Sequence, residues 1–338
     1  MPFRDVIGHR KLVALLSRSI ERDSIPPSLI FAGPAGVGKR LVALASAQAL
    51  NCLNPNSQKS DTVPYDACGA CAACTRIARG LHPDVVVIEP GDSGSIKIDP
   101  IRDIIDRSGY RPFEGRRRVV IIDEADALVP QAQNALLKTL EEPPSSSVFI
   151  LISARADSLL PTVQSRCPRL RFHPLSAEDV AAALMRTGKK DTDAHAIAAL
   201  ADGSIGAALD VSADVLVEAR EVALRVLTQF AQTDDLRRRV DVAKELLPQT
   251  TGGAAADREH LAVHLRAIAS LLRDVELVGV NGDRRTLANP DVEGSLGRLI
   301  SFKGERGTKA FAAVDEALVA IDRNAGVKII ADWLATQI

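Results

Sequence analysis

Three groups of residues in this chain have types and spacings that could do chemistry. The first is Gly33-Pro34-Ala35-Gly36-Val37-Gly38-Lys39-Arg40, which lies between an apolar run, Ser28-Leu29-Ile30-Phe31-Ala32, and an Ala/Leu-rich stretch, Lys39–Asn51, free of helix breakers. Glycines at a strand-to-helix turn let backbone N–H groups face phosphate oxygens at a helix N-terminus. Lys39 stands where a lysine meets β and γ phosphates, and the next position ordinarily supplies a Ser or Thr hydroxyl to Mg²⁺. Here it is Arg40, whose guanidinium has no acceptor and cannot ligate a cation. The loop is expected to hold ATP or ADP with weakened affinity, its direct Mg²⁺ anchor lost.

The second group is Asp123-Glu124-Ala125-Asp126, directly after the apolar run Val119-Val120-Ile121-Ile122. At this distance from a phosphate loop it reads as a Walker B segment. Asp123 would hold Mg²⁺, directly or through water, and Glu124 would polarise an attacking water. An acidic helix N-cap after a strand is the plainer alternative. Both acids persist although the metal hydroxyl is gone.

The third group is Cys52, Cys68, Cys71 and Cys74, with spacing C-x15-C-x2-C-x2-C. Two cysteines two residues apart reach one ion from a tight turn, and a polar loop returns Cys52 to complete the shell. Four soft ligands with no open position predict a structural Zn²⁺; a redox pair or iron–sulfur cluster is the alternative. Cys167 reads as a packed thiol, and His82 and His173 as loop histidines beside prolines with no metal role.

These groups must be positioned by regular elements. Strands are predicted at 28–32, 85–88, 118–122, 148–152 and 170–172, with helices at 39–51, 99–108 and 131–142 between them. Five strands alternating with helices predict a doubly wound parallel sheet, whose ligands sit at the carboxyl ends of the strands. After Pro174 the pattern is helical throughout, opened by a cap at Ser176 with Glu178 and Asp179 in the first turn. The fold class is therefore α/β plus all-α, with a core over 1–173 that includes a cysteine insertion at 52–74. A small helical lid over 174–212 and a larger helical domain over 213–338 follow, with loops at Gly252-Gly253 and Asn281-Gly282-Asp283.

Composition narrows the class. The 338 residues are 46% hydrophobic and 25% charged, as in ordinary globular chains. Aromatic residues make up only 3%, too few for a base-stacking single-strand binder. A net charge of −1 gives no overall attraction to nucleic acid. Arg116-Arg117-Arg118 is a basic run, but it leads into a strand and reads as a solvated loop. The first residues lack the apolar stretch of a signal peptide, and no run is long enough for a membrane span, so a cytoplasmic protein is expected.

Asn134-Ala135-Leu136-Leu137-Lys138-Thr139-Leu140-Glu141-Glu142-Pro143-Pro144 and Leu160-Pro161-Thr162-Val163-Gln164-Ser165-Arg166-Cys167 complete a pattern. With the phosphate loop, the acid cluster and the cysteine insertion directly after the loop's helix, the chain resembles the AAA+ subunits of the bacterial DNA polymerase III clamp loader, gamma/tau and delta-prime. The specific motifs fall within residues 1–212; beyond them the likeness is only to a helical tail forming a shared collar.

The resemblance implies an adenine pocket lined by Val6, Ile7 and Gly8, and a sensor-1 role for Ser153. It also implies an arginine finger at Arg166 that reaches the ATP site of a neighbouring subunit. The helices after the acid cluster would line a chamber where their N-termini track duplex phosphates without reading bases. In the lid motif Gly203-Ser204-Ile205-Gly206, the family's motor subunits carry a sensor-2 arginine at the fourth place, where this chain has Gly206. With Arg40, and a chain that stops short of a tau-type extension, this favours the delta-prime type.

The resemblance thus implies a scaffold whose partners are gamma/tau and delta subunits, and, through the assembly, the sliding clamp and primer-template DNA. Alternatives are an active gamma/tau-like ATPase and a stand-alone zinc-containing nucleic-acid-binding protein.

Overall fold

A computed structural model describes residues 1–55, 63–91, 94–201, 203–210, 213–248, 253–280, 282, 287, 289 and 292–338. Gly252, Asn281 and Asp283 of the expected loops, and part of the polar loop after Cys52, lie outside the described residues, as does the expected lid boundary at 211–212. The chain forms two compact units. One comprises Met1–Asp179 with Ser204–Gly206, the other Val180–Gly203 with Ala207–Ile338.

The first unit is built on strands β1 (Ser28–Ala32), β2 (Val85–Ile88), β3 (Arg118–Ile122), β4 (Ser147–Ser153) and β5 (Arg169–Arg171). They pair in parallel in the order β2-β3-β4-β1-β5. Every residue of β1, β3 and β4 is buried, which explains their unbroken apolar runs: a parallel sheet is covered on both faces. The covering helices are α1 (Arg10–Glu21), α2 (Lys39–Asn51), α3 (Ala72–Ala78), α4 (Ile98–Ser108), α5 (Pro130–Glu141) and the single turn α6 (Pro161–Gln164).

Each face has its own core. Phe31, Val119, Ile121 and Ile150 pack with α1 and α2 on one side, whereas Ile30, Val120, Phe149 and Leu151 pack with α4 and α5 on the other. The alternation follows from the two-residue period of a strand. Pro130 opens α5 where its missing N–H costs nothing. The last strand pairs one residue earlier than predicted, at Arg169–Arg171. Phe172 N–H still donates to Ala32 O at 2.7 Å, while its side chain, 2% exposed, enters the α1/α2 core.

The basic run at 116–118 is only in part the solvated loop the sequence predicts: Arg116 is exposed in the loop, but Arg118 opens β3. Arg118 is 8% exposed and pairs with the fully buried Asp84 at 3.2 Å. Arg117 pairs with Asp23 at 2.6 Å, and Arg116 donates to Cys52 O at 2.7 Å. A buried carboxylate needs a charged partner, and Arg118 meets that need where β3 begins.

The second unit takes in most of α7 (Ala177–Arg186), α8 (Asp191–Leu200) and α9 (Ile205–Asp210), then α10 (Ala213–Gln232), α11 (Leu236–Ala243), α12 (Ala254–Gly279), the turn α13 (Glu293–Leu296), α14 (Glu305–Asp322) and α15 (Val327–Gln337). Helix α12, about 39 Å long at 1.5 Å per residue, is its axis. Leu261, Leu265, Ile268, Leu272 and Val275 recur along it at helical spacing and are buried against α10 and α14. Among the described residues no helix is long and apolar enough to cross a membrane.

Candidate functional site

The carboxyl ends of four neighbouring strands carry the polar residues. Strand β1 runs into the glycine-rich loop, β3 into Asp123, β4 ends at Ser153, and β2 is followed by Glu89. The register aligns Ala32 with Ser153 and Ile88 with Ile122, so these ends form one edge. Such an edge is where parallel sheets bind ligands.

Gly38, at φ +96°, caps α2 in the left-handed region that favours glycine, and turns the loop into the helix. Lys39 opens that helix and is 6% exposed. Its ammonium folds back on the loop, donating to Gly33 O at 2.6 Å and Pro34 O at 2.5 Å. Burial pushes the Lys39 pKa down, against the opposing pull of Asp123, Asp126 and Glu124. A cation in this place can hold phosphate oxygens, and here it is satisfied by carbonyls at the start of the loop.

Gly36 is held by the start of α9. Gly206 N–H donates to Gly36 O at 2.9 Å. A Cβ on Gly206 would lie 2.9 Å from Gly36 Cα, so two backbones meet where a side chain cannot enter without displacement.

Arg40 projects to the acids. Its Nη1 lies 3.3 Å from Asp123 Oδ2 and also pairs with the Glu89 carboxylate. Asp123 in turn accepts from Glu124 N–H at 3.0 Å. Glu124 has φ 50° and ψ 49°, an unusual conformation for a non-glycine residue. Burial raises the Glu124 pKa, and the carboxylates of Asp123, Asp126 and Glu89 raise it further. Ser153 Oγ donates to Asp126 Oδ1 at 2.8 Å, while Arg155 binds Asp126 Oδ2 through Nε at 3.3 Å and Nη2 at 3.2 Å.

A separate cavity of about 480 Å³ opens beside α1, lined by Gly8, His9, Leu12, His173, Leu175 and Asp179 among others. Val6 is half-buried against the α1/α2 core and Ile7 is half-buried; the cavity wall begins at Gly8. His9, also left-handed at φ 48°, bonds Val37 O through Nε2 at 2.8 Å and so ties this wall to the phosphate loop. Burial holds the His9 pKa below its ordinary value, which favours the neutral ring.

Arg166 lies just after α6. It donates from Nη1 to Thr162 O at 2.9 Å and from Nη2 to Glu141 Oε2 at 3.2 Å, and its side chain is 30% exposed. Its Nε is buried with no hydrogen-bond partner among the described residues.

The four cysteine sulfurs lie within 4.8 Å of one another. Cys68 N–H points at Cys52 Sγ and Cys71 N–H at Cys68 Sγ, both at 3.2 Å. Backbone N–H donors of this kind stabilise thiolates, and the donor set suits a soft ion held in a closed shell. Burial raises the Cys74 and Cys52 thiols. At Cys71 burial also acts upward, but backbone donors from Cys74 and Leu53 and neighbouring thiols bring it down to about 6. Cys167, 3% exposed beneath α5, stands apart and is pushed up to about 11 by burial.

The structure therefore brings the glycine-rich loop, Asp123 and Glu124 to one strand edge, and gathers the cysteines elsewhere. Spacing did not single out Glu89, Arg155 or His9, and it gave Asp126, a member of the acid cluster, no role of its own. Glu89 had a readable signal, an acid immediately after a strand as at Asp123; the other three are revealed only by their pairings.

Comparison with known proteins agrees with this arrangement. The family described as "DNA polymerase III, delta subunit" matches residues 8–176, half of the 338-residue chain. A DNA polymerase III subunit delta' of Pseudomonas aeruginosa is 42% identical over 136 residues, 40% of this chain and 39% of that protein. A DNA polymerase III subunit gamma of Buchnera aphidicola is 34% identical over 215 residues, 62% of this chain and 57% of that protein. The chain thus spans less than two thirds of either relative. A solved DNA polymerase III gamma subunit-related protein of Thermotoga maritima aligns over 96% of this chain and 98% of its own, with TM-score 0.45 and 19% identity. On the family match and the motifs gathered at the strand edge, the chain belongs to the bacterial DNA polymerase III clamp-loader subunits.

Proposed function

We propose that this chain is a delta-prime-type subunit, a scaffold that binds nucleotide without turning it over and donates Arg166 to the ATP site of a neighbouring gamma/tau-type subunit. The observation that carries this reading is the backbone contact between Gly206 and Gly36. A motor subunit needs a lid arginine over its phosphates. Here the corresponding place is filled by main chain, with 2.9 Å from a Gly206 Cβ to Gly36 Cα. Arg40 in place of the Mg²⁺ hydroxyl supports the same conclusion.

In this reading residues 174–212 act as the lid and 213–338 as a collar shared with gamma/tau and delta subunits. ATP binding and hydrolysis in the motor subunits drive opening of the sliding clamp and its release around primer-template DNA in the cytoplasm. Arg166 supplies positive charge to the γ-phosphoryl group next door; its side chain is already fixed by Thr162 and Glu141. Ser153 serves as sensor 1 through Asp126. Cys52, Cys68, Cys71 and Cys74 hold one structural Zn²⁺, which would tie the loop after α2 to α3.

The rival is an active gamma/tau-like ATPase, favoured by the intact set of Lys39, Asp123 and Glu124. Steady-state ATPase of the purified chain with primed DNA, against Lys39→Ala, separates the two. The scaffold predicts no turnover above the variant; Lys39-dependent turnover would make this chain a motor.

A further inference from the structure

Asp123, the carboxylate that would hold a divalent cation, and the neighbouring Glu89 are already bridged by a cation of the protein's own. Asp123 follows β3 and Glu89 follows β2, adjacent strands in register, and both reach the Arg40 guanidinium from the same edge. Both contacts are to Nη1. Nε and Nη2 make no hydrogen bond among the described residues, and the side chain is 51% exposed. Arg40 follows Lys39 in the first turn of α2, so its spare donors lie at the same helix N-terminus that the loop offers to phosphate.

In a nucleotide site with Mg²⁺, the ion joins an acid after a strand to β and γ phosphate oxygens. A guanidinium can make the same junction, because its planar fork binds a carboxylate on one side and a phosphate on the other. We propose that Arg40 is a tethered cation occupying the place of Mg²⁺, so that this loop takes nucleoside di- and triphosphates in their metal-free form. This rests on residues 33–40 being a nucleotide-binding loop, and it specifies the chemical form of the ligand.

Two consequences follow from charge. A divalent ion brought to Asp123 would have to displace the guanidinium or lie against it, so Mg²⁺ gains little by binding. A single positive charge fixed to the protein also neutralises the phosphates less completely than Mg²⁺. It can hold the nucleotide without supplying the charge that transfer of the γ-phosphoryl group requires.

The test measures binding of a fluorescent ADP analogue to the full chain in excess Mg²⁺ and in excess EDTA. For the natural protein binding is expected to be at least as tight in EDTA as in Mg²⁺, because excess Mg²⁺ sequesters the metal-free nucleotide, and Lys39→Ala should lose binding in both. Arg40→Ser should make binding metal-dependent, at least about tenfold tighter with Mg²⁺ than with EDTA. Arg40→Lys, which keeps a charge, should retain part of the EDTA binding, a rescue that a merely structural role would not produce.

Natural protein that binds about tenfold more weakly in EDTA would overturn the tethered-cation role while leaving the loop a nucleotide site. Binding only after Arg40→Ser would overturn it too, and make Arg40 a plug. No binding by either protein, with both folded by circular dichroism, would overturn the nucleotide site itself.

Discussion

Asp66 offers the sharpest structural perturbation, because one buried carboxylate fastens the start of the chain. Its side chain is 7% exposed and accepts from Phe3 N–H at 2.8 Å, Arg4 N–H at 3.1 Å, Arg4 Nη1 at 3.2 Å and Ala67 N–H at 2.8 Å. Phe3 itself is 1% exposed. In Asp66→Ala the buried Phe3 N–H loses its acceptor, at a cost of about 1–3 kcal/mol. The half-exposed Arg4 pair adds at most about 1 kcal/mol. A total of about 3 kcal/mol corresponds to exchange on the order of a hundredfold faster at the Phe3 and Arg4 amides.

Residues 8 and 9 line the cavity beside α1, so release of the N-terminal segment should also disturb that cavity. Native-state hydrogen exchange is the assay, since a two-unit chain need not unfold in one step. Asp66→Asn keeps one acceptor oxygen and should recover part of the protection. Exchange in Asp66→Ala within about threefold of the natural chain would refute the idea that this carboxylate holds the N-terminal segment.

Three further outcomes are expected. Burial lowers the Lys39 pKa from 10.5, so the charged form that binds phosphate is complete below that lowered value and is lost as pH rises through it. Nucleotide affinity measured against pH should therefore fall before ordinary lysines titrate; affinity unchanged up to their range would contradict the buried ammonium. Zinc analysis should find about one ion per chain. Zinc uptake near pH 7.5 should release protons from the raised Cys52 and Cys74 thiols, and uptake without proton release would contradict that. Gly206→Ala should destabilise the first unit by about 1–3 kcal/mol in thermal unfolding, because two backbones must separate. Gly297→Ala, whose Cβ meets nothing within 4 Å, should not, and equal effects of the two would show that the Gly206 contact carries no weight.

The site was legible where the chemistry is local. The glycine-rich loop, the acid cluster and the cysteines each lie on one short stretch or one closing loop, so spacing alone brought their atoms together. The central strands were legible because a sheet covered on both faces demands unbroken apolar runs. What spacing did not reveal are pairings between distant residues. Arg40 reaches Asp123 across 83 positions, and Asp126 joins Ser153 across 27. Arg118 looked like part of a surface run because its buried partner, Asp84, lies on another element. Strand β5 is offset by one residue because a three-residue edge strand has little pattern to fix its ends; Phe172 just beyond it keeps its bond to Ala32 O and is buried as well.

The most direct test of the central claim is ATPase of a clamp loader reconstituted with Arg166→Ala in this chain alone, beside the natural protein and with assembly checked by gel filtration. If Arg166 serves a neighbour's active site, the complex should assemble normally and its DNA-stimulated turnover should drop by roughly 10³-fold at the site it completes. Turnover equal to that of the natural complex, with assembly intact, would contradict the scaffold role.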